Sequence, residues 1–350
     1  MTPSRLRTIS NDIVHERNVK PFRTLSLIIP FYNERSSLPL LLGEIERLAR
    51  RLQSRQIDVE AVLVDDGSTD GGGQAIAAWV AAQARPFETR VLRLSRNFGK
   101  ELALSAGLEA ADADAVVLLD ADLQHPVELI DTFVEAWLGE GVDVVYAYRE
   151  DSAREPLGKR VLRSAFYRLV NGASGGTLHP SAGDFRLMSR RACEALKRFP
   201  ERERLMKGLY GLIGFPTKGV PYAPAPRAAG TSKFPTLKLW AAGLNGVTAF
   251  SVFPLRLTLL MGLALGLLSF VYGVWTVIEK LAFGIHVPGY PTLVVIISMV
   301  GAGQLIGMGI VGEYVGKVLV EVKQRPLYIL ESDERLASAA APSQDRSLTA

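Results

Sequence analysis

From about residue 25 to residue 146, short apolar runs alternate with amphipathic stretches. Residues 25–30 (LSLIIP) have the length and composition of a buried parallel strand. Over residues 36–52, Leu38, Leu41, Leu42, Ile45 and Leu48 recur at helical spacing and mark one face. The same reading predicts strands over 59–64, 91–94, 115–119 and 142–146, with helices over 75–84 and 101–111. Strands alternating with helices imply an α/β fold with a parallel, doubly wound sheet. Ligands of such sheets bind beyond the carboxyl ends of the strands. The polar clusters that follow the first, second and fourth strands are therefore expected in one crevice.

Beyond residue 151 the pattern changes. Residues 157–170 form a basic amphipathic stretch in which Arg160, Arg163 and Arg168 can hold anionic headgroups while Leu162, Phe166 and Leu169 meet lipid, although an ordinary surface helix fits the pattern too. A Pro-rich segment over 216–226 precedes RAAGTSKF, and residues 236–250 suit a helix in the membrane interface, with Trp240 and Phe250 as anchors. Two uncharged apolar spans follow, 257–278 and 292–312, each about the 20 residues needed to cross the hydrocarbon core. Their connection carries only Glu279, Lys280 and His286, whereas Arg256 precedes the first span and Lys317, Lys323 and Arg325 follow the second. By the positive-inside rule both ends face the cytoplasm. Small residues from Gly301 to Gly316 allow the second span to pack closely, either in an oligomer or only against the first. The expected organisation is a flexible N-terminus (1–24), a catalytic domain (25–235), an interface helix (236–252), two transmembrane helices (253–318) and a cytoplasmic C-terminal segment (319–350).

Composition sharpens this division. Of 350 residues 48% are hydrophobic, yet the first two thirds are rich in charge, so the apolar excess lies in the last third and the chain reads as part soluble and part membrane. The net charge of +4 comes from mixed acids and bases, which argues against a nucleic-acid partner. Cys193 is the only cysteine, so it forms no internal disulfide and no thiolate metal site, and it reads as a small buried residue. The first 24 residues are polar without an apolar core, so no cleavable secretory signal is expected and the catalytic part should be cytoplasmic.

The strongest chemical signal is Asp120-Ala121-Asp122-Leu123-Gln124 at the end of AVVLL. Two carboxylates one residue apart, past the last ladder bonds of a strand, can approach one hard cation, and Gln124 can add a neutral oxygen. Mg²⁺ or Mn²⁺ suits such donors and keeps positions open for a diphosphate. A solvated acidic turn is the plainer reading, weakened by the position after a buried strand. Pro30-Phe31-Tyr32-Asn33-Glu34 and Asp65-Asp66-Gly67-Ser68 leave the first and second strands. Their acids can accept from a pyrimidine or ribose and Tyr32 can stack on a base, while a helix cap at Asn33 and a turn at Asp66-Gly67 are the structural alternatives.

The ordered motifs PFYNE, VDDGSTD, SRNFGKELALSAGL, DADLQHP, GDFRLMSRR and RAAGTSKF, followed by two apolar spans and GEYVGKVLVEVKQRPLYIL, resemble the inverting GT-A glycosyltransferases of family 2. Within that family they are most similar to bactoprenol-phosphate glucosyltransferases and dolichol-phosphate mannose synthases. The resemblance runs from about residue 25 to 330. It implies that Pro30, Tyr32, Glu34, Asp65 and Asp66 hold the nucleoside, with Lys100 near the donor, and that Asp120, Asp122 and Gln124 take Mg²⁺ or Mn²⁺. It places Arg149, Arg160 and Ser164 at the lipid phosphate and Asp184 close to the sugar. Arg227, Ser232 and Lys233 match a loop that closes over donor and acceptor phosphates. Asp122, Asp184 and Arg227 are the implied catalytic residues. The implied reaction moves a hexose, with UDP-glucose the favoured donor, to undecaprenyl or another polyisoprenyl phosphate at the inner membrane, in a multi-pass protein that similarity suggests is a tetramer. His125 stands where relatives often have Asp or Asn, which leaves the sugar open among glucose, mannose, N-acetylglucosamine and a modified pentose.

These parts suit that reaction on chemical grounds. A phosphate monoester is already anionic at neutral pH, so it needs positioning more than deprotonation. Arginine forks and a metal bring two anions together. Asp184 is read as orienting sugar hydroxyls rather than as a base, and pairing with Arg186 or another nearby cation is its structural alternative. A processive polysaccharide synthase would show Q-x-x-R-W and more apolar spans. Gly71-Gly72-Gly73 supplies no dinucleotide fingerprint, and the intact acids argue against a non-catalytic scaffold.

Overall fold

The computed structural model describes residues 23–149, 182–202, 204, 206–223, 253–283 and 289–336. The N-terminal arm, the basic amphipathic stretch with Arg160 and Ser164, the loop with Arg227, Ser232 and Lys233, and the interface helix lie outside the described residues.

The N-terminal half follows the predicted alternation: β1 (Arg23–Phe31), α1 (Leu38–Gln53), β2 (Ile57–Asp65), α2 (Gly72–Ala81), β3 (Glu88–Leu94), α3 (Lys100–Ala110), β4 (Ala115–Leu118), α4 (Leu129–Glu140) and β5 (Val144–Arg149). After the undescribed stretch come β6 (Ala182–Ser189), α5 (Arg190–Lys197), α6 (Met206–Leu212) and β7 (Thr217–Tyr222). Two long helices, α7 (Phe253–Phe283) and α8 (Tyr290–Lys323), precede a last strand, β8 (Leu330–Leu336).

Eight described strands form one sheet in the order β7-β5-β6-β4-β1-β2-β3-β8. The expected parallel pairing holds for β4-β1-β2-β3 and for β5 with β7. It fails at β6, which runs antiparallel to both β4 and β5, and at β8, antiparallel to β3. Parallel direction follows from helical crossovers, and β8 enters after a helical hairpin instead of one. Its sequence, LESDERL, is that of a charged edge strand, which hides it from a search for apolar runs.

Period-two alternation along β1 feeds two cores. Leu25, Leu27 and Ile29 pack with α1, α2 and α4 on one face, while Ile28 joins α3, α5 and α6 on the other. Helix α3 lies so close to the sheet that a Cβ on Gly107 would stand 2.3 Å from Ile28 Cγ2. Cys193 is buried in the second core, and desolvation pushes its thiol up to about 11, so it is an inert packing residue as expected.

Helices α7 and α8 contain segments of mean hydropathy 2.1 (Leu255–Glu279) and 1.9 (Val295–Lys323), long and apolar enough to cross a membrane. Helix α8 runs past the predicted end of its span because GEYVGKVLVEVK carries no proline to stop it. The chain leaving it is tied to the sheet domain: the Arg202 N–H donates to Glu321 Oε1 (2.8 Å), the Ser95 N–H to the Ile329 carbonyl (3.0 Å), and Arg90 to both oxygens of Asp333 (2.8 and 2.6 Å).

Candidate active site at the carboxyl edge of the sheet

The loops after β1 and β2 are cross-linked. Asn33, with φ +56°, accepts the Thr69 N–H at Oδ1 (2.9 Å) and donates its own N–H to Ser68 Oγ (3.0 Å). Asp65 accepts the Ser68 N–H (2.7 Å). Asp66 accepts the N–H groups of Phe98 (2.7 Å) and Gly99 (2.9 Å) with its two oxygens, so it anchors the loop that opens α3. Desolvation raises its pKa against the opposing pull of those two bonds. Gly67 makes this approach feasible. Its φ is +72°, and a Cβ there would lie 2.4 Å from the backbone carbon of Arg96. Beside these turns a polar cleft of about 770 Å³ is lined by Arg35, Asp65, Ser68, Gln74 and Arg93 among others.

Of the residues expected at the nucleoside, Asp65 therefore faces a cleft. Tyr32 is 46% exposed at the same edge, and Glu34 accepts from the Ser37 hydroxyl (2.8 Å). Pro30 is buried opposite Val64 within the sheet, where it offers backbone shape and no polar side chain.

The acidic motif begins two residues past β4. Leu123 adopts φ +59°, a left-handed conformation that turns the chain back after Asp122, and the Gln124 N–H donates to Asp122 Oδ1 (3.1 Å). Asp120, Asp122 and His125 thereby offer donor atoms that all lie within 4.8 Å of one another. Gln124, the expected neutral donor, accepts at Oε1 from Arg149 Nη2 (3.3 Å), and Arg149 Nε donates to the Tyr222 hydroxyl (3.3 Å). His125 is 8% exposed and packs against Phe185 and Tyr222 at ring-centroid distances of 4.9 and 5.6 Å. Desolvation holds its pKa below the usual histidine value, although Asp120 and Asp122 pull the other way. Two carboxylates and a buried imidazole fit a divalent cation.

Lys100, the first residue of α3, lies between two acids: its Nζ is 2.6 Å from Asp120 Oδ1 and 2.7 Å from Asp184 Oδ2. Asp184 comes from β6, so the antiparallel strand absent from the sequence reading delivers it. Burial works to raise the Asp184 pKa, but Lys100, with Lys207 and Arg186 behind it, keeps it below the ordinary value. Burial likewise opposes the charge on Lys100, and the two acids outweigh it, so this lysine stays protonated. The structural alternative for Asp184, a pair with Arg186 or another nearby cation, is met by Lys100. Arg186 stacks on Tyr210, its guanidinium carbon 3.4 Å from the ring centroid, and donates to the Gly183 carbonyl (2.7 Å).

Glu101 escaped the sequence reading of the site. It lies behind Lys100, accepts the Met206 N–H (3.1 Å), and is pushed up to about 7 by desolvation and by the nearby Asp184 charge. An acid in the first turn of a helix looks ordinary in sequence. Only the fold shows that Asp184 and α6 enclose it.

Comparison with known proteins gives the family. The family model described as glycosyl transferase family 2 matches residues 26–197, which contain Asp65, Asp66, Lys100, Glu101, Asp120, Asp122, His125, Arg149 and Asp184. The SfII prophage-derived bactoprenol glucosyl transferase of Shigella flexneri is 42% identical over 311 residues, covering 89% of this chain and 98% of that protein. The prophage bactoprenol glucosyl transferase homolog of Escherichia coli K12 is 40% identical over 307 residues, covering 88% and 98%. Among solved structures, one of glucosyl-3-phosphoglycerate synthase from Mycobacterium tuberculosis aligns with a TM-score of 0.46 at 24% identity, over 65% of this chain and 79% of that one, a likeness too loose to transfer site residues. Identity of 40% or more over nearly nine tenths of the chain reaches past the sheet domain into the helical hairpin, and on it the chain belongs to glycosyl transferase family 2.

Proposed function

We propose that this protein transfers glucose from UDP-glucose to the phosphate of a polyprenyl lipid at the cytoplasmic face of the inner membrane, with inversion and with the help of Mg²⁺ or Mn²⁺. The observation that carries the reading is the convergence of Asp120, Asp122, His125, Lys100 and Asp184 at one sheet edge, in a chain that also holds two apolar helices of membrane-spanning length. The relatives bear bactoprenol in their names over the same stretch of chain, which supports the lipid acceptor.

Each residue then has a chemical task. Asp65, in the cleft beside β2, and the exposed Tyr32 receive the nucleoside, and Asp66 holds the loop that presents Lys100. Asp120 and Asp122 would hold the cation, which supplies charge neutralisation for the departing diphosphate. Lys100 adds a fixed positive charge between that point and Asp184. Asp184, kept ionised by Lys100, accepts from sugar hydroxyls and so fixes the ring for attack. Arg149, held by Gln124 and Tyr222, is placed to receive the acceptor phosphate as a planar donor fork. Arg160, Ser164, Arg227, Ser232 and Lys233 would complete the phosphate cage from the segments on either side.

Topology supports placing both ends of the helical hairpin on one side of a membrane. Strand β8 follows both apolar helices and pairs with β3, so the hairpin leaves and re-enters one domain, as two spans require. The test is purified protein with undecaprenyl phosphate, either cation and a panel of labelled nucleotide sugars. Wild type should form a lipid-linked glucose from UDP-glucose, and Asp122→Ala should form none while keeping its circular dichroism. Product from a different nucleotide sugar alone would replace glucose, and no lipid-linked product from any donor would remove the proposal.

A further inference from the structure

We infer that Tyr210 is a positioning residue for Asp184: through one bridging water its hydroxyl donates toward Asp184 Oδ1 and so fixes the carboxylate that orients the sugar. The inference rests on the sugar-orienting reading of Asp184 above and deepens it by naming a second group that holds that acid.

Two buried polar atoms of one cluster have no hydrogen-bond partner among the described residues, the Tyr210 hydroxyl and Asp184 Oδ1. Tyr210 is 4% exposed and Asp184 8%, so neither lies open to bulk solvent. Leaving such atoms unpaired costs their full desolvation, which is why buried hydroxyls and carboxylates are nearly always bonded, often to an ordered water. The two atoms are complementary. Burial and the nearby Asp184 charge push the Tyr210 phenol well above its ordinary value, so it stays a neutral O–H donor. Burial opposes the charge on Asp184, but Lys100 outweighs it and already donates to the other oxygen, Oδ2, at 2.7 Å.

Neighbouring contacts keep the phenol in this place. Arg186 stands two residues along β6 from Asp184, on the same face, and lays its guanidinium on the Tyr210 ring, 3.4 Å from carbon to centroid. Met206, four residues before Tyr210 in α6, donates its N–H to Glu101. Residues at that spacing share a helix face, so the contact that fastens α6 to α3 also turns Tyr210 toward the cluster. A phenylalanine would fill the same space and meet the same guanidinium. The hydroxyl is what packing leaves unexplained.

A carboxylate offers about four acceptor positions. With Lys100 on one oxygen and the phenol, across water, on the other, the group cannot rotate freely. Its remaining lone pairs then keep one direction for sugar hydroxyls, which is an advantage in orientation rather than in binding.

The experiment uses the full chain in detergent as wild type, Tyr210→Phe, Asp184→Ala and the double variant. In Tyr210→Phe, turnover with UDP-glucose and undecaprenyl phosphate should fall about tenfold, the scale of a hydrogen bond to a charged group, while KM for UDP-glucose and affinity for UDP move less than about twofold. Its melting temperature should fall as well. On the Asp184→Ala background the same substitution should shift the melt by less than about a third as much, because the partner is gone. A hydroxyl that is merely buried gives the opposite sign: Tyr210→Phe then melts higher and turns over like wild type, which overturns the inference. Equal losses in both backgrounds overturn it too, since the hydroxyl would then act elsewhere than through Asp184. The single variant already fixes the sign, so a poorly folded Asp184→Ala does not obscure the result. If wild type forms no lipid-linked glucose, the function proposed above falls, and the melts still decide whether hydroxyl and carboxylate are coupled.

Discussion

Lys100 and Asp184 form an ion pair of 2.7 Å across two elements that meet only through the fold, the start of α3 and the middle of the antiparallel strand β6. The same ammonium reaches Asp120 at 2.6 Å, so one cation sets the spacing between Asp120 and Asp184. Lys100→Met keeps the stem and removes the charge. Turnover should fall by about 10² or more, the scale of a lost preorganised charge donor. Stability should drop by only about 1–3 kcal/mol, less than for a fully buried pair because the lysine side chain is 42% exposed. Parallel activity and thermal-melt measurements on the purified variant check both halves.

Glu101 gives the molecule a pH-dependent weakness. Its folded-state pKa of about 7 stands above the ordinary 4.5, so the native protein binds the extra proton between those values. Stability should therefore be unaffected by this group below pH 4.5, decline as pH rises toward 7, and level off above it, for a total of roughly 2–3 kcal/mol. Glu101→Gln retains an acceptor for the Met206 N–H and cannot ionise. Its melting temperature should exceed that of wild type at pH 8 and match it at pH 4.5, and equal melting temperatures at pH 8 would refute the assignment.

Gly67→Ala should be costly. The new methyl carbon would meet the Arg96 backbone carbon at 2.4 Å, with the neighbouring Cα and N at 2.7 Å, in a φ region unfavourable to alanine. Main chain does not step aside as a flexible side chain does. A loss of about 2 kcal/mol or more is expected, together with weaker donor binding as Asp66 is displaced from the loop before Lys100. Isothermal titration with UDP and a urea melt report the two effects separately.

The reach of the sequence differs between parts of the chain. Apolar runs and helical spacing located β1 through β5 and three of their four helices, because buried parallel strands are continuous in composition. Helix α4 was missed, and β6 was overlooked because AGDFRLMS opens with small and charged residues that serve the site before its apolar half begins. The acids at 65, 66, 120 and 122 were legible because an acid just past a buried strand has few structural reasons to be there, whereas Asp184 entered only through the family resemblance. Two things could not be read. One was the use of Asp66 as a backbone anchor, which depends on where residues 98 and 99 fall. The other was the approach of His125, which depends on a left-handed Leu123 that no propensity would favour.

Removing β8 tests the edge of the sheet. A chain truncated after Arg325 loses the antiparallel partner of β3 and the bidentate Arg90–Asp333 pair, leaving unpaired N–H and C=O groups along β3. The truncated protein is expected to aggregate on extraction and to melt several degrees lower. Asp333→Asn, which keeps the strand and weakens one charged contact, should shift the melt by less than a third as much. Size-exclusion chromatography and a thermal melt in the same detergent decide the matter.

Strand β8 also dictates an order of events during synthesis. The chain delivers β1 to β7 first, then the two apolar helices, and only afterwards the seven residues that cover β3. The sheet can therefore be finished only after both helices have been synthesised. Until then β3 is a raw border, open to chaperones and proteases. Completion of the sheet is thereby made to wait for the hairpin to be made.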